Sequence, residues 1–196
     1  MNSQQSAKTI DYLGGTCGPG AINGAPVGFI GAGNMATAII KGLTTNKTAP
    51  GPRITVINKH NRKRLMHLCS AYGVRAAKDY EELIKQSKIV VLAVKPDQMG
   101  EVLDAISPLV TANHLIISVA AGVTIKTIEN SLNQDVPVIR AMPNTPAQVG
   151  AGVSVLCGSH RVTDEHKAHA DGVFSAIGKV VWLDEIYMDA VTALSG

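Results

Sequence analysis

Three short segments of the sequence carry residue types whose spacing can do chemistry. The first is Gly31-Ala32-Gly33-Asn34-Met35-Ala36, a G-x-G-x-x-A spacing that follows the apolar run VGFI (27–30) and opens the helical pattern NMATAIIKGL (34–43). A glycine at the first position permits a tight turn, and one at the third lets backbone N–H groups approach a pyrophosphate. A small residue at the sixth lets helix and strand pack closely. The second segment is Asn58, Lys59, His60, Arg62, Lys63 and Arg64, which begins 25 residues after Gly33 at the end of the apolar run RITVI (53–57). In a dinucleotide site that position meets the adenosine ribose. A carboxylate there suits NAD(H), whereas Asn and cations accept a 2′-phosphate, so the segment predicts NADPH, with NADH as the weaker alternative. A nucleic-acid surface would need a broader basic face with stacking aromatics, and aromatics are 4% of the chain. The third is a set of polar turns that each follow an apolar strand: AVKPDQ (93–98), SVAAGVTI (118–125) and VIRAMPNTPAQVGAGV (138–153).

The elements that must position these residues alternate. Strands are expected at 27–30, 53–57, 88–94, 114–119, 136–142, 152–157 and 179–183. Helices are expected at 34–43, at 62–72 before Gly73, at 81–86, from Pro96 to Ile106, after an N-cap at Thr124, and at 163–176. Strand–helix alternation of this length predicts an α/β fold, a doubly wound, mostly parallel sheet with right-handed crossovers. Residues 1–25, rich in Gly, Ser and Gln and without periodicity, read as a flexible extension with neither the apolar core of a secretory signal nor an arginine.

Composition narrows the class further. Hydrophobic residues are 45% and charged residues 17%, the balance of a globular α/β protein. The apolar runs are of strand length, so no membrane span is expected. Net charge is +3, unevenly placed: after Asp11 the next acid is Asp79, and nine of the 18 Lys and Arg fall between them. That half of the chain favours an anionic ligand. Cys17, Cys69 and Cys157 are odd in number and far apart, which points to reduced thiols and a cytoplasmic setting, with the mitochondrion as the alternative. His160, His166 and His169 lack a companion acid or cysteine at ligand spacing and read as an exposed helix face, not a metal site.

Taken with the terminal DAVTALSG (189–196), these strings closely resemble the pyrroline-5-carboxylate reductases from Val27 to Gly196. The resemblance implies a Rossmann-type domain over 26–186 and, from 187–196, the start of an all-helical dimerisation domain that is otherwise missing. It implies NADPH-dependent reduction of the C=N bond of 1-pyrroline-5-carboxylate to proline, a full-length homo-oligomer built on dimers, and no nucleic-acid or membrane partner. The alternative is that the chain as given is a truncated NADP-binding module without turnover, because substrate-clamping groups are expected in the missing domain and no catalytic residue is assigned here. By the same resemblance, Ile30, Gly31, Ala32, Gly33, Asn34 and Met35 hold the pyrophosphate, with Asn58 and Lys59 at the ribose phosphate. Ala93, Val94, Lys95 and Pro96 line the cofactor, and Val119, Ala120 and Ala121 sit near the nicotinamide. Met142, Pro143, Asn144 and Thr145 border the reacting ring, and Glu185 matches a position that contacts substrate or product. Lys95 and Glu185 also have plain readings, as a helix-start lysine and a solvated acid. Tyr80 stands where the family commonly places Asn, which puts one contact to the adenosine half in doubt. Ser195 in ALSG lacks the G-x-S-x-G elbow of a hydrolase nucleophile. An apolar surface is expected around Val191 and Leu194.

Overall fold

The computed structural model describes residues 22, 24–132, 135–144 and 152–190. They form strands β1 (Val27–Ile30), β2 (Ile54–Ile57), β3 (Arg75–Ala76), β4 (Ile89–Leu92), β5 (Leu115–Ser118), β6 (Val138–Pro143), β7 (Gly152–Gly158) and β8 (Gly178–Trp182). The helices are α1 (Asn34–Thr45), α2 (Arg62–Tyr72), α3 (Tyr80–Lys85), α4 (Met99–Ile106), α5 (Ile125–Ser131) and α6 (Asp164–Ser175). Single 3-10 turns cover Gly51–Arg53, Pro96–Gln98 and Glu185–Tyr187.

The described strands make one sheet in the order β3-β2-β1-β4-β5-β6-β7-β8. Strands β1 to β6 are mutually parallel, β7 runs antiparallel to β6, and β8 is parallel to β7. The first six keep the order 3-2-1-4-5-6 of a dinucleotide-binding sheet, in which the winding reverses between β1 and β4. All six carboxyl ends therefore lie on one edge.

Why the chain adopts this form can be read strand by strand. Strands β1, β2, β4 and β5 are buried at every position, as expected for parallel strands covered on both faces. Alternate residues point to opposite layers. Val27 and Phe29 of β1 and Ile89 and Val91 of β4 pack with Ile39 and Leu43 of α1, Leu68 of α2 and Phe174 of α6. Ile30 of β1 and Val90 and Leu92 of β4 pack with Leu83 of α3, Leu103 of α4 and Ile128 of α5.

The local stop and start signals are physical. Asn61 caps α2 by accepting from the Arg64 N–H, and Gly73 ends it in the left-handed conformation at φ 67. Thr124 caps α5 through the Thr127 N–H, as the sequence predicts. Pro96 opens a 3-10 turn, not the first turn of α4, which begins at Met99. The two-residue β3 is too short to leave a periodic signal and was not expected. Two residues past the expected domain boundary, Met188 is fully buried in the second layer.

Candidate cofactor site

The carboxyl edge is built around Gly31. Its φ of 106 is open to glycine at little cost, and it turns the chain from β1 toward α1. The Gly31 N–H donates to the Ile57 carbonyl at 2.8 Å, and the Ala93 N–H donates to the Ile30 carbonyl at 2.8 Å. The ends of β2, β1 and β4 are thus fixed to one another just where the sheet order reverses.

Gly33 is the N-cap of α1. Its backbone is extended, no side chain caps the helix, and the first turn carries no acid. The leading N–H groups and the partial positive charge of a 12-residue helix are left available to an anion. Room for the anion's backbone exists too: a Cβ built on Gly33 meets nothing nearer than the Ala93 carbonyl oxygen at 3.8 Å.

In front of this helix end lies a cleft of about 280 Å³. Of the expected cofactor residues, Ile30, Gly31, Ala32, Gly33, Asn58, Lys59, Ala93, Val94 and Lys95 line it. Asn34 and Met35 begin α1 behind the lining, and the Asn34 side-chain carbonyl accepts from the Arg64 guanidinium across the cleft floor. Pro96 lies just past the lining, in the 3-10 turn.

Val119 and Ala120 follow β5 along the same edge: the Val119 N–H donates to the Leu92 carbonyl at 3.1 Å, and Ala120 is buried, whereas Ala121 is exposed. Met142 and Pro143 close β6, and the Asn144 side chain accepts from the Val153 N–H at 3.0 Å, tying that end to β7. None of these six lines the cleft. Thr145 lies outside the described residues, as do Val191, Leu194 and Ser195.

Sequence reasoning passed over several lining residues. Asn61 and Gln98 line the cleft, and so does Glu101, which reaches over from α4. Glu101 pairs with Lys59 at 3.2 Å, and the Lys59 ammonium stands 4.7 Å above the Tyr80 ring centre. Tyr80 therefore takes part in the cleft where a contact was in doubt. The hydrogen bond that Lys59 donates to the Glu101 carboxylate raises the Lys59 pKa above its ordinary value, so Lys59 is charged. A carboxylate 43 positions beyond Asn58 leaves no local motif, and α4 had to be placed before Glu101 could be found.

Glu185 is neither free nor in the cleft. Its carboxylate accepts from the Ile125 N–H at 2.8 Å and lies 3.5 Å from Arg140, whose side chain is 2% exposed. Arg140 also pairs with Asp189 at 2.9 Å. The plain reading of Glu185 as a solvated acid is thus corrected: it helps satisfy a buried guanidinium and the N-terminus of α5.

The exposed-face reading of two histidines is corrected as well. His166 closes a capping box with Thr163 at the start of α6, and His169 is 2% exposed. Burial lowers the pKa of both. His160 is exposed. Among the described residues no group of three or more His, Cys, Asp or Glu could hold a metal, and no helix is long and apolar enough to cross a membrane.

Strand order and a glycine-turned crevice at the switch point together define the class: an α/β fold of the dinucleotide-binding type. Residues 26–122 match the family model described as NADP oxidoreductase, coenzyme F420-dependent. The chain is 40% identical over 171 residues to the pyrroline-5-carboxylate reductase of Synechocystis, covering 87% of this chain and 62% of the relative. It is 36% identical to that of Arabidopsis thaliana, covering 87% and 61%. A solved pyrroline-5-carboxylate reductase from Coxiella burnetii superimposes with a TM-score of 0.82 at 36% identity, covering 88% of this chain and 64% of that one. The NADP-bound Plasmodium falciparum pyrroline carboxylate reductase gives 0.77 at 28% identity, covering 88% and 62%. Over most of its length the chain is thus similar to the pyrroline-5-carboxylate reductases. It spans about three fifths of the length of the curated relatives it matches.

Proposed function

We propose that this chain is the NADPH-binding part of a reductase that converts 1-pyrroline-5-carboxylate to L-proline. The observation that carries the reading is the pairing of an uncapped α1 N-terminus at Gly33 with a β2 end that offers Asn58 and Lys59 in place of a carboxylate. The names of the relatives and the NADP bound in one of them support it.

In this reading Ile30 to Met35 receive the pyrophosphate on backbone N–H groups, and Asn58 and Lys59 face the 2′-phosphate. Ala93 to Pro96 form the wall along the cofactor, and Val119 to Ala121 bound its nicotinamide half. Bound NADPH supplies the hydride for the imine carbon. The contribution of the chain is to fix the plane and distance of that donor and to keep its surroundings apolar. Met142, Pro143, Asn144 and Thr145 border the substrate ring. Glu185 acts at one remove, by holding the start of α5.

Residues 26–186 are the NADP-binding domain in this reading. The protein acts as a homo-oligomer built on dimers, in the cytoplasm. Free thiols at Cys69 and buried Cys157 fit a reducing compartment.

A second reading, a cofactor-binding module that does not turn over, is favoured by the share of the relatives that the 196 residues span. Following NADPH oxidation with 1-pyrroline-5-carboxylate separates the two. Turnover that is faster with NADPH than with NADH supports the reductase. NADPH binding without turnover supports the module, and no binding of either nucleotide ends both.

A further inference from the structure

Among the residues that line the cleft there is a single acid, Glu101. A site built to take a 2′-phosphate gains from cations and loses from a carboxylate, so its presence calls for an account. Of the cations that line the cleft, Lys59, Arg64 and Lys95, the first two are already partnered. Arg64 is engaged by Asn34, and Lys59 by Glu101 at 3.2 Å above the Tyr80 ring. A phosphate arriving at the end of β2 meets a Lys59 ammonium already engaged by Glu101 and must compete with that carboxylate for it.

We propose that Glu101 is a specificity-determining residue, which competes with the cofactor's 2′-phosphate for Lys59 and so limits the discrimination between phosphorylated and unphosphorylated nucleotides. The inference rests on the dinucleotide reading of the cleft. It assigns to α4 a role that the β2 segment alone does not have: Asn58 and Lys59 admit the phosphate, and Glu101 sets how strongly it is favoured. The pair also ties α4 to the segment after β2 across the mouth of the cleft, so the competition takes place where the nucleotide enters.

Adenosine 2′,5′-bisphosphate and adenosine 5′-monophosphate differ only in the group at issue, and calorimetric titration of the full chain with each gives a ratio of dissociation constants. The Lys59 and Glu101 side chains are 46% and 66% exposed, so Glu101→Gln leaves the fold intact. The ratio in favour of the bisphosphate should rise roughly two- to fivefold in Glu101→Gln, the range expected from releasing an exposed ion pair. In a Lys59→Gln background the same substitution should yield less than half that gain. An unchanged ratio in Glu101→Gln, or an equal gain without Lys59, overturns the proposal while leaving the dinucleotide reading standing. A wild-type chain that binds neither probe removes that reading, and this inference with it.

Discussion

Gly31 and Ala93 meet so closely that a Cβ on Gly31 would lie 2.4 Å from the Ala93 carbonyl oxygen. The contact joins the first turn of the fold to the end of β4, and the φ of 106 at Gly31 makes it accessible to glycine alone without strain. Gly33, two residues on, has φ −69 and open space at its Cβ position. The two glycines of the motif thus do different work. Gly31→Ala should cost roughly 2 kcal/mol or more of stability, seen as a fall of about 5 °C or more in Tm. Gly33→Ala should unfold within about 1 °C of wild type and yet bind NADPH more weakly, because its methyl group occupies the approach to the α1 N–H groups. Thermal unfolding and a fluorescence titration on the same samples check both.

Asn58 should govern the choice of cofactor. Asn58→Asp places a carboxylate at the end of β2, where it repels a 2′-phosphate and accepts from ribose hydroxyls. The NADPH to NADH affinity ratio should fall by about tenfold, the direct effect of a like charge at close range. Parallel titrations with the two nucleotides read it out.

Glu185→Ala removes the acceptor of the Ile125 N–H and one of the partners of buried Arg140. Because Glu185 is one third exposed, the loss is below that of a fully buried pair: about 1–3 kcal/mol by denaturant unfolding. If Glu185 served substrate alone, stability would be unchanged and only KM would move.

Stability should also depend on pH through α6. Burial holds the pKa values of His166 and His169 below their unfolded value of about 6.5. The unfolded chain therefore takes up protons first as pH falls. The stability these groups permit is complete above about pH 6.5 and is lost as pH drops below it toward the folded values. Urea unfolding at pH 7.5 and 5.5 should show the decline, and His169→Leu should flatten it.

Much of this was legible in the sequence, for local reasons. Gly73 and Thr124 mark helix ends by chemistry that acts within three residues, and the fully apolar runs of β4 and β5 reflect burial on both faces. The residues that escaped are set by long-range packing. Arg140 sits inside an apolar strand pattern and gains its meaning only from Glu185 and Asp189, 45 and 49 positions away. His169 looks like a polar helix residue until α6 is laid against the sheet. Glu101 belongs to the cleft only because the crossover after β4 returns α4 to the mouth of the cleft at the switch point.

The most direct measurement is a calorimetric titration of the folded chain with NADPH and NADH. Saturable binding of NADPH, tighter than NADH and weakened in Gly33→Ala, is the predicted result. Binding of neither nucleotide, or NADH held more tightly than NADPH, would contradict the assignment of the Gly31–Gly33 turn and the Asn58–Lys59 segment to a 2′-phosphorylated dinucleotide.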